Sequence, residues 1–545
     1  MQKSYQADII IIGGGIAGMI AALDLLDAGK KVLILDRDKE SELGGLAKWA
    51  FGGMFFVDTK IQRRQGVKDS IDLAMKDWFS YAEFEKDEYW GKLWAEQYVH
   101  LSTTHAYQYL LKKDVKFFFS MNWAERGLQV KGNTVPRFHM VWGTGRALVE
   151  QIKKHLLNHV NRNNLTIHFE HRALDLITSN NCIDGVNGII EDDGGAFVAK
   201  SNRVIVATGG INGSIERVKK EWDYQAFGSP PTTILNGAHK YAVGDLHDAT
   251  AKINGNIINL EKQWNYAAGI RHFNPRKRDH GLSLVPCKSA IWTNYQGKRF
   301  GPTPLMTSTD TRYLVEQICK EPVKYSWQIL NMKIAKKEFA ISGSEFNHSF
   351  REQQLLKFLY STLIGGNQKL VDEIVEKCED VVIANSMDGL VQEMNAISEH
   401  EVSLALVKDS VEKYDADIAN GPGNFKDQQL QWIEEIRKFR GDKIRTCKFQ
   451  KINDPKAYPL IAIKEFIVSR KSLGGIQTNL EGKVLTSKDE NGNQSVIEGL
   501  YAIGEAAGFG GGGMHGKRSL EGTFLGGCVI TARVAAQSIL GKQLN

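Results

Sequence analysis

The chain has no C-x-x-C pair. Its six cysteines, Cys182, Cys287, Cys319, Cys378, Cys447 and Cys528, stand far apart, so neither a zinc site nor a thiol–disulfide motif is readable and no metal is expected. Such spacing fits a reducing compartment, and a cytoplasmic protein is expected. Charge of one sign is also scarce. A net +6 over 545 residues is too mild to imply nucleic acid, and the only dense basic run, RHFNPRKRDHG at 271–281, holds a proline and ends in glycine, so a solvated loop is expected there. The opening MQKSYQADIIIIGGG lacks the basic region, apolar stretch and cleavage site of a targeting segment. Residues 9–26 are apolar, but three consecutive glycines and Asp24 argue against a membrane span. No internal repeat or low-complexity segment is visible. With 42% hydrophobic and 24% charged residues, what remains is a globular chain long enough for two or three domains.

The first chemistry lies in IIIIGGGIAGMIAALDLLDAGKKVLILDRD, which reads strand, glycine turn, helix, strand. Gly13, Gly15 and Gly18 have the G-x-G-x-x-G spacing: one for the tight turn, one for close approach of backbone to a pyrophosphate, one for helix–strand packing. The helix then offers unpaired N–H groups, at Ile16 and Ala17, to phosphate. Asp36 ends the second strand, where it can accept hydrogen bonds from a ribose diol, and Arg37 belongs to the same end. A second glycine segment, ELGGLAKWAFGG, follows at 42–53; Gly44, Gly45, Leu46, Ala47, Gly52 and Gly53 are expected beside the cofactor. Backbone this bare suits FAD better than NAD. A third segment, SNRVIVATGGING, brings Ala207, Thr208 and Gly209 to the end of another strand, after TIHFEHRALDLI, in which Ala173 is a further candidate. The fourth, VIEGLYAIGEAAGFGGGGMHGK, contains Gly504 and Glu505 and leads into an apolar helix from Thr523 to about Leu540. Only one complete G-x-G-x-x-G is present, so a pyridine-nucleotide oxidoreductase is the least expected class.

These four segments, in this order, resemble the flavoprotein family that includes fumarate reductase, succinate dehydrogenase flavoprotein subunits, L-aspartate oxidase and 3-ketosteroid 1-dehydrogenase. VPRFHMVWGTG, VIVATGGING, RKSLGGIQT and GEAAGFGGGGMHGKRSLEGTFLGGC are closely similar to a branch of FAD-binding dehydrogenases related to the ketosteroid enzymes. The resemblance covers nearly the whole chain. It implies an α/β fold with a discontinuous Rossmann-like FAD-binding domain in 1–274 and 456–545, and an inserted α+β capping domain in 275–455. The active site would lie between cap and flavin, with Glu505 on ribityl or ribose hydroxyls and backbone at Gly522, Thr523, Phe524 and Leu525 facing the ring. Residues 41–53 contain no histidine, and Leu46 falls near the position used for covalent attachment, so FAD is expected to be noncovalent.

Family comparison leaves the substrate side open. Met514-His515-Gly516-Lys517-Arg518 resembles the H-G-x-N-R tail that places an arginine on a substrate carboxylate, with Lys517 for asparagine. Arg518 can therefore hold a carboxylate or polarise a carbonyl oxygen, or it can pin the glycine loop; His515 can be a ligand, an acid or a packing residue. Ile461 stands where the ketosteroid enzymes have a catalytic tyrosine, with Tyr458 three residues earlier. Arg470-Lys471-Ser472-Leu473 replaces the histidine that precedes M-G-G in the succinate and fumarate enzymes. In WTNYQGKRFGPTPLMTSTDTRYL, Arg299 is expected to support the N-x-x-G-x-R-F turn, and Arg312 comes later than the family's proton-donating arginine; it is a candidate acid or a loop residue. Tyr266 and His139 are polar groups in apolar text that could reach a cavity or be satisfied by packing. The expected activity is hydride transfer between flavin N5 and a substrate carbon beside a carbonyl or carboxylate, with a small-molecule substrate and a separate electron acceptor or donor. A reductase of activated double bonds and an electron-relay flavoprotein are the alternatives.

Overall fold

Four consecutive isoleucines, Ile9–Ile12, are buried on both faces, as a strand in the middle of a parallel sheet must be. A computed structural model describes residues 2–544 and places this strand between two parallel neighbours, Ile9 opposite Val32 and Ile10 opposite Val204. The parallel core reads Val496–Ala502, Val204–Val206, Ile9–Ile12, Val32–Leu35, Leu165–His168. It is completed by Cys182–Ile190, Ala196–Lys200 and Lys3–Gln6, with His171–Ser179 antiparallel to Cys182–Ile190. The helix Ile16–Asp27 is buried from Ile16 to Leu26 and packs on the terminal helix Thr523–Ile539. Asp24, the one acid in that buried stretch, meets Arg533 of the terminal helix at 3.0 Å; burial raises its pKa and the guanidinium opposes the rise. These elements belong to one compact unit, formed by residues up to 222, 238–264 and those from 471 on.

The second compact unit comprises 223–237 and 265–470, where 275–455 was expected. Three strands account for the difference: Gln263–Arg271, most of which falls in this unit, Leu460–Ser472 and Ile234–Asn236. Leu460–Ser472 pairs with Ser326–Asn331 and with Val381–Ala384, and the short strand Ile234–Asn236 lies parallel to its Ile467–Ser469. Around them an eight-stranded sheet is ordered Ile291–Asn294, Ser326–Asn331, Leu460–Ser472, Gln263–Arg271, Gly281–Val285, Ala340–Ile341. Helices follow the amphipathic stretches, as in Gln428–Ile436, where the Asp427 side chain accepts from the Leu430 N–H and caps the first turn. In this unit strands and helices are segregated, as in an α+β fold, whereas the first unit is doubly wound α/β. Among the described residues no helix is long and apolar enough to cross a membrane, and no group of metal-binding side chains occurs.

Candidate active site

The glycine segments, far apart in sequence, meet in the first unit. Gly44 donates its N–H to the Gly14 carbonyl at 2.9 Å, and Gly15 and Gly44 form an isolated parallel bridge. Gly44 has φ +109°, and a Cβ there would stand 2.3 Å from Val149 Cγ1, so only glycine fits. The third segment closes from the opposite strand: Ala207 donates to the Ile12 carbonyl at 2.8 Å, and its own carbonyl lies where a Cβ on Gly13 would be. Thr208 and Gly209 continue this turn beyond Val204–Val206. The fourth segment joins through Ser472, whose N–H donates to Glu505 Oε1 at 3.0 Å and whose hydroxyl bonds to Asn212 Oδ1 at 2.7 Å. Sequence reading did not single out Ser472 for this; nothing local in RKSLGG marks it.

At the start of Ile16–Asp27 the cap is Gly15, with no side-chain cap hydrogen bond and nothing within 4 Å of where its Cβ would be. A bare helix N-terminus with open space above it is the arrangement that receives a pyrophosphate, and the Ile16 and Ala17 amides would hold it. Gly18 instead presses on the Gly13 carbonyl, 2.1 Å from its would-be Cβ. Asp36 accepts from Gly14 N–H at 2.6 Å and from Asp38 N–H at 2.7 Å, so it shapes the glycine turn. Arg37 packs over the Tyr241 ring at 4.2 Å and pairs with Glu191 and Asp245. Ala173 is buried opposite Gly188, which leaves only its backbone for ligand contact. Leu46 and Ala47 lie on the short helix Gly45–Trp49. Gly52 accepts from Val141 N–H at 2.9 Å, and beyond Gly53 the Phe55 N–H donates to the Gly522 carbonyl, also at 2.9 Å. This set of bare turns, with its uncapped helix, fits FAD.

The other end of the cradle is the start of Thr523–Ile539, capped by Gly522 without a side-chain bond. Thr523 donates its hydroxyl to Leu520 O at 2.6 Å, so His515 Nε2, 2.9 Å away, must be the donor in their contact. His515 is therefore a neutral Nε2–H tautomer with a buried, unpartnered Nδ1. Burial, with Lys471 nearby, pulls its pKa down to about 3. The ring is walled by Trp78, stacked at 5.9 Å, and by Phe509 and Phe524. A histidine so placed orients Thr523 and does not donate protons near neutrality. Lys471 lies 4.0 Å over the Phe524 ring, adding positive charge at this helix N-terminus, while Leu525 is half-buried.

Arg518 is 6% exposed and ion-paired with Glu83, the residue that ends Ile71–Ala82 in left-handed conformation. The loop is held by Trp78, whose Nε1 donates to Met514 O at 3.1 Å, and by Lys517, whose N–H donates to Ala82 O at 2.7 Å. Arg312 sits between Asp223, at 3.0 Å, and Glu316, at 2.8 Å, over the Phe227 ring; two carboxylates hold its charge, which suits support of the Thr311–Cys319 helix and not proton donation. Arg299 pairs with Asp427 and donates to Gln429 Oε1 at 2.7 Å, supporting its turn as expected. His139 donates Nδ1–H to Arg137 O at 2.8 Å and accepts from the Thr59 hydroxyl at 2.7 Å; fully buried, its pKa falls to about 4. Tyr458 donates to Asn453.

Tyr266 has a setting that the sequence did not disclose. In the second unit the Arg470 guanidinium lies 5.9 Å from its ring centroid, against Gly237, where a Cβ would stand 2.4 Å from Arg470 Cδ. Arg470 Nε is buried without a hydrogen-bond partner, and so are both amide atoms of the neighbouring Asn265. The basic run expected to be a solvated loop is a loop, yet Lys277 turns inward. Burial, reinforced by Arg470 and Arg276, pulls its pKa from 10.5 to about 7.

The sequence profile of the FAD binding domain family matches residues 8–525. A KsdD-like steroid dehydrogenase of Mycobacterium tuberculosis is 38% identical over 556 residues, covering 98% of this chain and 96% of that protein. Among solved structures, the 3-ketosteroid delta1-dehydrogenase of Sterolibacterium denitrificans superposes with TM-score 0.70 at 15% identity, over 98% of this chain and 99% of that one. A flavocytochrome c3 fumarate reductase does so with TM-score 0.69 at 18% identity, over 100% and 79%. Bare turns, uncapped helices and full-length similarity agree, and the chain belongs to the FAD binding domain family, as an FAD-dependent oxidoreductase.

Proposed function

We propose that the protein is a cytoplasmic dehydrogenase that removes two hydrogens from the carbon–carbon bond beside the carbonyl of an apolar cyclic ketone of the steroid class. The observation that carries this reading is the similarity, over 98% of the chain, to a KsdD-like steroid dehydrogenase. FAD, held noncovalently, supplies the acceptor for the hydride. The chain's own residues handle the rest. Arg518 and Lys471 polarise the substrate oxygen, which makes the neighbouring C–H more acidic. The released proton passes to a positioned base. Electrons leave through a separate acceptor.

The retention of His515 and Arg518 from the H-G-x-N-R tail favours one other reading, reduction of an activated double bond with Arg518 on a carboxylate. Anaerobic titration of the visible flavin band separates the two. Bleaching by 3-ketosteroids or other cyclic ketones is expected, and reoxidation by fumarate or related enoates without any bleaching would replace the first reading with the second. Acid precipitation should leave the yellow colour in the supernatant; colour retained on the protein would overturn noncovalent attachment.

A further inference from the structure

The second unit contains a helical segment that buries nothing. Leu355–Tyr360 and the turn that continues it, Ser361–Gly365, have no buried residue between them. Leu356 is 83% exposed, Ile364 77%, Tyr360 61%, Leu363 54% and Leu355 41%. Isolated exposed leucines are ordinary; five large apolar side chains within eleven consecutive residues form a contiguous surface that water solvates poorly. The segment is nonetheless anchored. Phe358 packs edge-on against Phe350 at 5.1 Å, and after the turn Asn367 donates its N–H to Lys336 O at 2.8 Å. Gly366 fits there because a Cβ would meet that same Lys336 carbonyl at 2.7 Å.

Its surroundings are basic. The helix Met332–Glu338, joined to the turn through Lys336, carries Lys333, Lys336 and Lys337. The helix Arg440–Arg445 also packs against the turn, bringing Arg440 and Lys443 with Asp442 as its one acid. Lys357 lies on the segment itself. Of the nearby acids, Glu338 is buried and holds Ser289 and Cys447, and Glu352 is paired with Arg351. The helix Gln368–Lys377, packed on Met332–Glu338, sets Asp372, Glu373 and Glu376 against Lys369 and Lys377, with Glu373 paired to Lys377 and Asp372 bonded to Gln368, so the lysines and arginines named above stay in excess.

We propose that this segment docks the protein on the surface of an anionic lipid bilayer, with Leu356, Tyr360, Leu363 and Ile364 entering the headgroup–acyl boundary and the lysines and arginines lying on the lipid phosphates. Charge complementarity selects this occupant. Apolar side chains with a cationic rim are what an interfacial segment needs, since burial of hydrocarbon and attraction to anionic headgroups add. A second copy of the chain would bring two cationic rims together, which like-charge repulsion opposes. The inference stands apart from the substrate assignment, although an apolar ketone partitions into the same phase.

The test is sedimentation of the FAD-loaded protein with vesicles of phosphatidylcholine alone and of phosphatidylcholine with phosphatidylglycerol. Binding is expected only to the anionic vesicles, weakening as salt is raised. The double variant Leu356→Glu/Ile364→Glu should bind at least about tenfold more weakly, with unchanged FAD content and thermal midpoint because both side chains are outside the core. Leu356→Trp should show a blue-shifted emission on anionic vesicles. Wild-type protein that stays in the supernatant with anionic vesicles, or binding that survives the double variant, would overturn the proposal. So would a concentration-dependent dimer that the double variant abolishes, which would assign the face to a second copy.

Discussion

Gly15 and Gly18 lie three residues apart in one motif, and substituting alanine at each should fail in different ways. Gly15 has φ −65° and nothing within 4 Å of a would-be Cβ, so Gly15→Ala should leave the apoprotein within about 0.5 kcal/mol of wild type. The added methyl occupies the space above the helix N-terminus. If the pyrophosphate lies there, crowding it should weaken FAD by about 1–3 kcal/mol, or roughly five- to 140-fold in Kd. Gly18→Ala instead drives a Cβ to 2.1 Å from the Gly13 carbonyl oxygen and 3.2 Å from Ile11 Cγ2. Gly13 lies in the turn directly after the central strand and is tied by its N–H to Leu35 O at 2.8 Å, so its backbone cannot yield cheaply and the apoprotein itself should lose about 3 kcal/mol or more. Thermal unfolding of the FAD-stripped proteins gives the first quantity, and quenching of FAD fluorescence on titration gives the second. A Gly15→Ala protein that binds FAD like wild type refutes the placement of the pyrophosphate; one that unfolds as early as Gly18→Ala refutes the claim that the space is open for a ligand.

Three further outcomes are expected. Arg518→Lys keeps the charge but loses the planar fork, so turnover should fall by at least about tenfold with FAD retained; loss of FAD together with turnover would make Arg518 a structural partner of Glu83. Lys277 has a folded pKa near 7 against 10.5 when unperturbed, so its neutral amine is present above pH 7. Folding stability should increase from pH 7 towards 10.5 in wild type but not in Lys277→Met, because the unfolded chain holds the extra proton in that window. A rise in stability unchanged in Lys277→Met would overturn the burial of its amine as the cause. His515, held neutral down to about pH 3, contributes stability that is lost as pH falls below 6.5, where the unfolded imidazole takes a proton first. His515→Ala should therefore lower the thermal midpoint at pH 7 and flatten its acid dependence, while the pH profile of turnover keeps its shape; an inflection near 6.5 that vanishes in the variant would restore His515 as an acid.

The strand–glycine–helix–strand unit from Ile9 to Asp36 was legible because every device in it is local: β-branched residues, a bare turn, an apolar helix and an acid. The order of the later glycine segments was legible for the same reason, as was the start of the terminal helix near Thr523. What joins them was not. Ser472 bonds to residues 260 and 33 positions away, and RKSLGG contains no sign of either partner. Arg312 read as a loop cation because Asp223 stands 89 residues earlier. Lys277 shows the same limit in reverse: a basic run with proline and glycine has the composition of a solvated loop, and only the fold brings Arg470 against it. The C-terminal bound of the second unit shifted because Leu460–Ser472 is one strand whose partners, at 326–331 and 381–384, are remote in sequence.

The position of Val204–Val206 has a consequence for how the protein is made. One of its two neighbours, Ile9–Ile12, has already emerged when it leaves the ribosome, but the other is Val496–Ala502. With Val496 following Val206 by 290 positions, translation at about 5–20 residues per second leaves that edge of the central sheet unpaired for roughly 15–60 s. During that interval the nascent chain exposes an apolar strand edge and has no fourth glycine segment, so it cannot yet hold FAD. Ribosome stalling anywhere in the second unit would thus release an aggregation-prone, cofactor-free chain, and dependence on chaperones should concentrate in the time before residue 502 is synthesised.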